Sequence, residues 1–224
     1  MNRDGIEDVE FIVLITARTA VEREAEFGDL DAVVGDGDLG YSLARGFEVV
    51  LARWDSFDRA DIGTFLQGIA LAIASRVGGT SGPIWGTGFL RAAMIARGLQ
   101  SVTPSQVGDM LDAAVSGIKE RGKAEIGDKT LLDVLKPMSD CLREAIEREV
   151  ESAELLPLLA RTARSAAEAT SGLQARRGRA SYSGERSIGS PDAGAMVVAI
   201  ILEQISYLWP ERALQVEAKG VQGP

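Results

Sequence analysis

Apolar residues recur at three-and-four spacing along almost the whole chain, near residues 6–26, 40–54, 61–77, 83–99, 104–121, 130–149, 154–171 and 192–208. That periodicity predicts about eight helices. Breakers fall where helices should begin or stop: Pro83, Pro104, Pro157 and Pro191 near starts, and Gly98, Gly122 and Gly172 near ends. Pro137 is expected to split the sixth pattern into a short turn and a longer helix. The best strand signal, DAVV at 31–34, is too short to make a sheet. No internal repeat or low-complexity linker interrupts the pattern. The expectation is one all-α domain over residues 1–224, with frayed ends at 1–5 and 214–224.

Composition narrows the partners. With 46% hydrophobic and 25% charged residues the chain can bury a substantial core. A net charge of -9 and a pI near 4.7 disfavour nucleic acid and anionic membrane. A phosphorylated ligand is admissible only through a metal or a local reversal of charge. Cys141 is the single cysteine, so no intramolecular disulfide exists; within an apolar helical stretch it reads as packed rather than nucleophilic. The acidic N-terminus, MNRDGIEDVEF, lacks the apolar core of a secretory leader. The apolar run 193–202 is broken by Glu203 and is short for a membrane span. A soluble, cytoplasmic chain is expected, without nucleic-acid or membrane partners. The absence of histidine removes Ser-His-Asp triads, Cys-His pairs, His-ligated zinc and phosphohistidine relays.

Two long connections differ in charge. Residues 28–40 carry four aspartates and no base, whereas 172–190 carry Arg176, Arg177, Arg179 and Arg186 against Glu185. Loops this long in a compact domain are functional or disordered, and a basic loop in an acidic chain suits a lid over an anion. The acidic connection contains G-x-G-x-x-G at Gly35, Gly37 and Gly40, the form of a dinucleotide-binding fingerprint. The alternating strands such a fold needs are missing, so the match is a decoy. Asp31, Asp36 and Asp38 are instead hard oxygen ligands suited to Mg²⁺, with simple Asp-Gly turn chemistry as the alternative. An EF-hand is excluded, because position six from Asp36 is Tyr41 and position twelve is Phe47.

Three further stretches carry chemistry. In GGTSGPIWGTGF (78–89), Thr80 and Ser81 can cap a helix whose free amides would face an anion; a tight interhelical turn is the alternative. In RGKAEIGDKTLLDVLKP (121–137), Asp128 can cap a helix and Lys129 is expected at the surface. In GRASYSGERSIGSPDAGA (178–195), Arg179 could contact phosphate or stay solvated, and Asp192 is placed to cap the last helix.

With LDAVVGDGDLG (30–40), these stretches resemble, in order and over nearly the whole chain, the nucleotide-binding L subunit of dihydroxyacetone kinase. The resemblance implies an antiparallel barrel of eight helices holding ADP or ATP at one end, with two Mg²⁺ ions between aspartates and phosphates. It assigns Asp31, Asp36 and Asp38 to the metal. It assigns Leu39, Gly40, Tyr41, Ser42, Thr80, Ser81, Gly122, Leu131, Arg179, Asp192, Ala193 and Gly194 to the nucleotide. It implies a phosphotransferase without a protein nucleophile on this chain, completed by a separate substrate-binding K subunit. The phosphoryl donor is either ATP or a phosphotransferase-system partner that recharges bound ADP. A homodimer is compatible with the reading. The chain departs from the family pattern at Leu39, Ser183, Ser190 and Ala193, none of them among the three aspartates. A regulatory or scaffolding metal-nucleotide module without its own transferase activity is the alternative function.

Overall fold

The structure, a computed structural model, describes residues 4–76, 79 and 81–220. Among these residues it contains nine α-helices, three 3-10 helices and no strand. They run α1 (Asp4–Glu22), α2 (Glu24–Ala32), α3 (Leu39–Ala52), α4 (Ile62–Arg76), α5 (Ser81–Ile95), α6 (Pro104–Gly122), α7 (Leu132–Glu147), α8 (Ser152–Ala169) and α9 (Ala193–Gly220).

The first periodic segment is two helices. Arg23 leaves helical geometry at φ -105° and ψ 23°, yet the ladder continues through Arg23 N–H to Thr19 and Phe27 N–H to Arg23, both at 3.0 Å. The chain therefore bends without opening a loop, and Phe27 enters the core fully buried. No glycine or proline marks this bend. Because α2 continues to Ala32, the acidic connection is residues 33–38, shorter than the 28–40 expected from sequence. The expected split at Pro137 does not occur: α7 runs through it. Proline forfeits one ladder bond here, and Val134, Met138 and Leu142, buried on both sides of it, hold the helix in one piece. Thr103 and Gln106 close a reciprocal capping box ahead of Pro104 at the first position of α6. Of the ends expected to fray, 1–3 and 221–224 lie outside the described residues, and helix covers 4–5 and 214–220.

Neighbours in sequence are neighbours in space. α1 packs on α3, α3 on α4, and so on through α8 on α9; α9 returns to α1 and closes the ring, while α2 lies against α3 and α9. Short connections between consecutive, adjacent helices make neighbours antiparallel. The interior divides in two. One part is filled by large side chains, among them Phe27, Phe47, Phe65, Ile69 and Ile201. The other, between α7, α8 and α9, is rich in alanine: Ala163, Ala167, Ala195 and Ala199 are fully buried around Val134 and Leu142. Apolar side chains continue along α9 beyond Glu203, so 193–210 is long and apolar enough to cross a membrane by length and composition, contrary to the shorter run read from sequence. Half of that stretch is buried inside the ring, where α9 meets α1, α2, α7 and α8.

Candidate functional site

One end of the ring opens into a cleft of about 460 Å³. Its acidic wall is the turn between α2 and α3. Asp31, Asp36 and Asp38 each offer a carboxylate oxygen there, all within 4.8 Å of one another. The glycines of the decoy motif explain this turn. A Cβ on Gly35 would lie 2.3 Å from the Asp31 carboxylate, Gly37 sits at φ +75°, and a Cβ on Gly40 would lie 2.0 Å from the Glu24 carbonyl. The motif packs carboxylates and two helices close together and cradles no phosphate by itself. Burial raises the Asp31 carboxyl above its ordinary range, against the Leu39 amide that lowers it, and Asp36 and Asp38 raise it further. Three hard oxygen ligands at this spacing, one half-buried and already strained by its like-charged neighbours, fit a divalent cation such as Mg²⁺.

The positive charge present at this turn comes from the lid. Arg179 pairs with Asp36 and lies 3.8 Å from Asp38, and the Ser183 hydroxyl donates to the Val34 carbonyl at 3.1 Å. Arg179 is thus folded over the aspartates rather than solvated away from them. The opposite wall is apolar, formed by Ile84 and Trp85 of α5, Ile118 of α6, and Leu131 and Leu132 at the start of α7. Periodicity alone could not separate these from core residues, because they occupy the same inward stripe.

The floor is the start of α9. Asp192 accepts the Ala195 amide at 2.8 Å, the cap expected from sequence, and its own amide donates to the Thr170 hydroxyl at 2.7 Å. Burial drives the Asp192 carboxyl up to about 7; the Ala195 amide opposes this, Asp133 and Asp31 add to it, and Lys129 opposes it.

Of the residues assigned from sequence, Asp31, Asp36, Asp38, Leu39, Ser81, Gly122, Leu131, Arg179, Asp192, Ala193 and Gly194 line the cleft. Gly40, Tyr41 and Ser42 stand beside it: Gly40 is buried against α2, Ser42 is buried, and Tyr41 is exposed beneath the Arg45 guanidinium, 5.1 Å away. Thr80 lies outside the described residues.

The loop 123–131 overturns two expectations. Asp128 caps no helix; it accepts the Glu125 amide at 2.9 Å and Arg177 Nε at 3.2 Å, which hold its carboxyl below the usual range despite its burial. Asp133, in the first turn of α7, accepts the Gly127 and Thr130 amides at 2.5 and 2.8 Å and ties the loop back to the helix. Lys129 is not at the surface. It is 1% exposed, and its ammonium donates to three lid carbonyls, Leu173 at 3.1 Å, Ser190 at 2.6 Å and Ser187. The only hint in the sequence is negative, since no helical face offers Lys129 a solvated position.

The DAK2 domain model matches residues 33–207. Among similar proteins, the ADP-binding subunit DhaL of the PEP-dependent dihydroxyacetone kinase of Escherichia coli is 40% identical over 177 residues, covering 79% of this chain and 84% of that subunit. An L-erythrulose 1-kinase of Mycolicibacterium smegmatis is 34% identical over 206 residues; it matches 91% of this chain, which spans 36% of that kinase. The crystal structure of the dihydroxyacetone kinase from C. freundii in complex with AMP-PNP and Mg2+ superposes with a TM-score of 0.68 at 22% identity, over 92% of this chain and 34% of that one. At that identity the likeness speaks for the fold.

Proposed function

The chain belongs to the DAK2 domain family, and from that premise we propose that it is the ADP- and ATP-binding phosphotransfer subunit of a dihydroxyacetone kinase or a related short-chain keto-sugar kinase. The observation that carries the proposal is the cleft itself: three converging carboxylates and a lid arginine at one side, and an apolar slot at the other. The apolar wall of Ile84, Trp85, Ile118 and Leu131 takes the flat face of a base, and the phosphates reach toward the turn.

Asp31, Asp36 and Asp38 hold Mg²⁺, two ions in this reading, which when bound neutralise phosphate charge and fix its orientation. Direct contact between phosphates and these carboxylates would be repulsive, so the acidic turn serves the nucleotide only through cations. Arg179 supplies positive charge from above, and its pairing with Asp36 marks where such charge is needed. The amide ends of α3, α5 and α9 face the same space through Leu39, Ser81 and Gly194. The chain contributes no histidine and we assign it no nucleophile. The acceptor hydroxyl arrives on a separate K-type subunit, in the cytoplasm, with either ATP or a phosphotransferase-system protein as donor.

Reconstitution tests this. Mixed with a dihydroxyacetone-binding K subunit and either ATP or a phosphotransferase-system donor, the chain should form dihydroxyacetone phosphate, and omission of the chain should abolish it. Tight Mg²⁺-dependent ADP binding without transfer to any short-chain keto-sugar would favour the regulatory module, a reading to which the departures at Leu39 and Ser190 lend support. Leu39 is largely buried at the start of α3, and the Ser190 hydroxyl is buried without a partner among the described residues.

A further inference from the structure

The lid 172–190 is tied at its base to two consecutive residues of another loop. The Asp128 carbonyl accepts the Arg176 amide at 3.0 Å, and its carboxylate takes Arg177. Lys129 reaches across the base. Leu173 stands at the lid's beginning, Ser187 and Ser190 at its end, and the three N–H donors of one ammonium are matched by these three carbonyls. The lid's own contacts complete the base: the Ala175 amide donates to the Ser187 hydroxyl at 2.9 Å, and the Gly189 amide to the Ser171 carbonyl at 2.8 Å. Lys129 adopts φ +63°, an uncommon left-handed conformation for a side chain of its size, which persists where the surroundings over-determine it. Burying an ammonium is costly unless it is fully hydrogen-bonded, and burial pulls Lys129 below its ordinary range, with Asp192 opposing the shift. A surface lysine would have been easier to place. The arrangement is spent on joining the two ends of the lid.

We propose that Lys129 is a positioning residue that pins both ends of the lid, so that Arg179 stays above Asp36 and Asp38. Lys129 thereby governs the nucleotide site without being assigned to the phosphates or the metal. The proposal depends on the nucleotide reading only for what the lid covers.

The first test uses no ligand. The lid offers trypsin Arg176, Arg177, Arg179 and Arg186, while Arg45, Arg91 and Arg143 on the helices report opening of the ring. In Lys129→Met, assayed well below its melting temperature, lid cleavage should rise at least ~10-fold relative to cleavage at the helical arginines. An unchanged ratio would overturn the proposal. Should Lys129→Met not fold, hydrogen exchange on the unaltered protein decides. The base amides of Ala175, Arg176 and Gly189 should exchange at least ~10-fold more slowly than the lid-tip amides of Ala180 and Tyr182, and equal rates would overturn it. The second test is a double-mutant cycle on MgADP affinity. Arg179→Ala should weaken binding about 10-fold in the parent and cause little further loss in Lys129→Met, because the lid is already displaced. Additive losses would mean that Lys129 acts on stability alone. If MgADP fails to bind any form, the proposed function is wrong, while the cleavage ratio still decides the role of Lys129.

Discussion

The turn at 31–38 and the loop at 123–131 both bring charged side chains to the same cleft, and they treat them in opposite ways. In the turn, three carboxylates converge with Arg179 as the one counter-charge among the described residues, and Asp31 is pushed toward protonation by burial and by its neighbours. In the loop and the first turn of α7, three buried charges are answered within the fold. Lys129 meets three carbonyls, Asp128 meets an amide and a guanidinium, and Asp133 meets two amides. A charge satisfied within the fold is structural. Charges left to repel one another at an open mouth await something from solution. In the proposed function, the contrast separates the residues that meet the ligand from scaffolding residues of similar polarity around one cleft.

The sharpest way to break the comparison is to exchange the consequences. Asp36→Ala should weaken Mg²⁺-dependent ADP binding at least ~100-fold, about 2.7 kcal/mol, and leave the melting temperature of the ligand-free protein nearly unchanged. Calorimetric titration and circular dichroism check both halves; normal ADP affinity would refute the cation bridge. Lys129→Met should show the mirror image in the ligand-free protein, losing about 3 kcal/mol of stability, because three buried carbonyls lose their donor.

Asp192 sharpens the comparison through pH. Its carboxyl holds its proton to about 7 in the folded chain, against an ordinary 3.8. The folded state therefore binds the extra proton, so the stability it contributes is fully present below about 4 and is lost as pH rises through 7. Asp192→Asn keeps an oxygen for the Ala195 amide. In denaturant titrations without metal it should match the parent at pH 4 and exceed it at pH 8, the gap opening by up to roughly 1.4 kcal/mol per pH unit between. Parallel curves across that range would contradict the assignment. The smallest effect belongs to Arg179→Ala: about 10-fold weaker MgADP binding by titration, with stability changed by less than ~0.5 kcal/mol, since its pairs with Asp36 and Asp38 are largely exposed. Unaltered affinity would demote the lid to a spectator.

The same contrast explains what could be read in advance. Helix periodicity located the ring because each helix buries a single stripe, and the aspartate turn stood out because no simple turn needs so many carboxylates. The bend at Arg23 escaped because no glycine or proline marks it, and the continuity of α7 escaped because buried neighbours on both sides overrode Pro137. Ile84, Trp85 and Ile118 looked like core because a cleft wall and a core share one helical face. Lys129 was misplaced for a deeper reason. Its partners are backbone carbonyls more than forty residues away, and carbonyls carry no signature in a sequence.

The central claim is that cations on Asp31, Asp36 and Asp38 bridge the protein to phosphate. Thermal unfolding of the protein cleared of carried-over nucleotide, with Mg²⁺, with ADP, with both and with neither, tests it most directly. At 100 times the dissociation constant the pair together should stabilise the fold by about 2.7 kcal/mol, a shift of several degrees, while either component alone does little. An equal shift from ADP without Mg²⁺, or no shift from the two together, would contradict it.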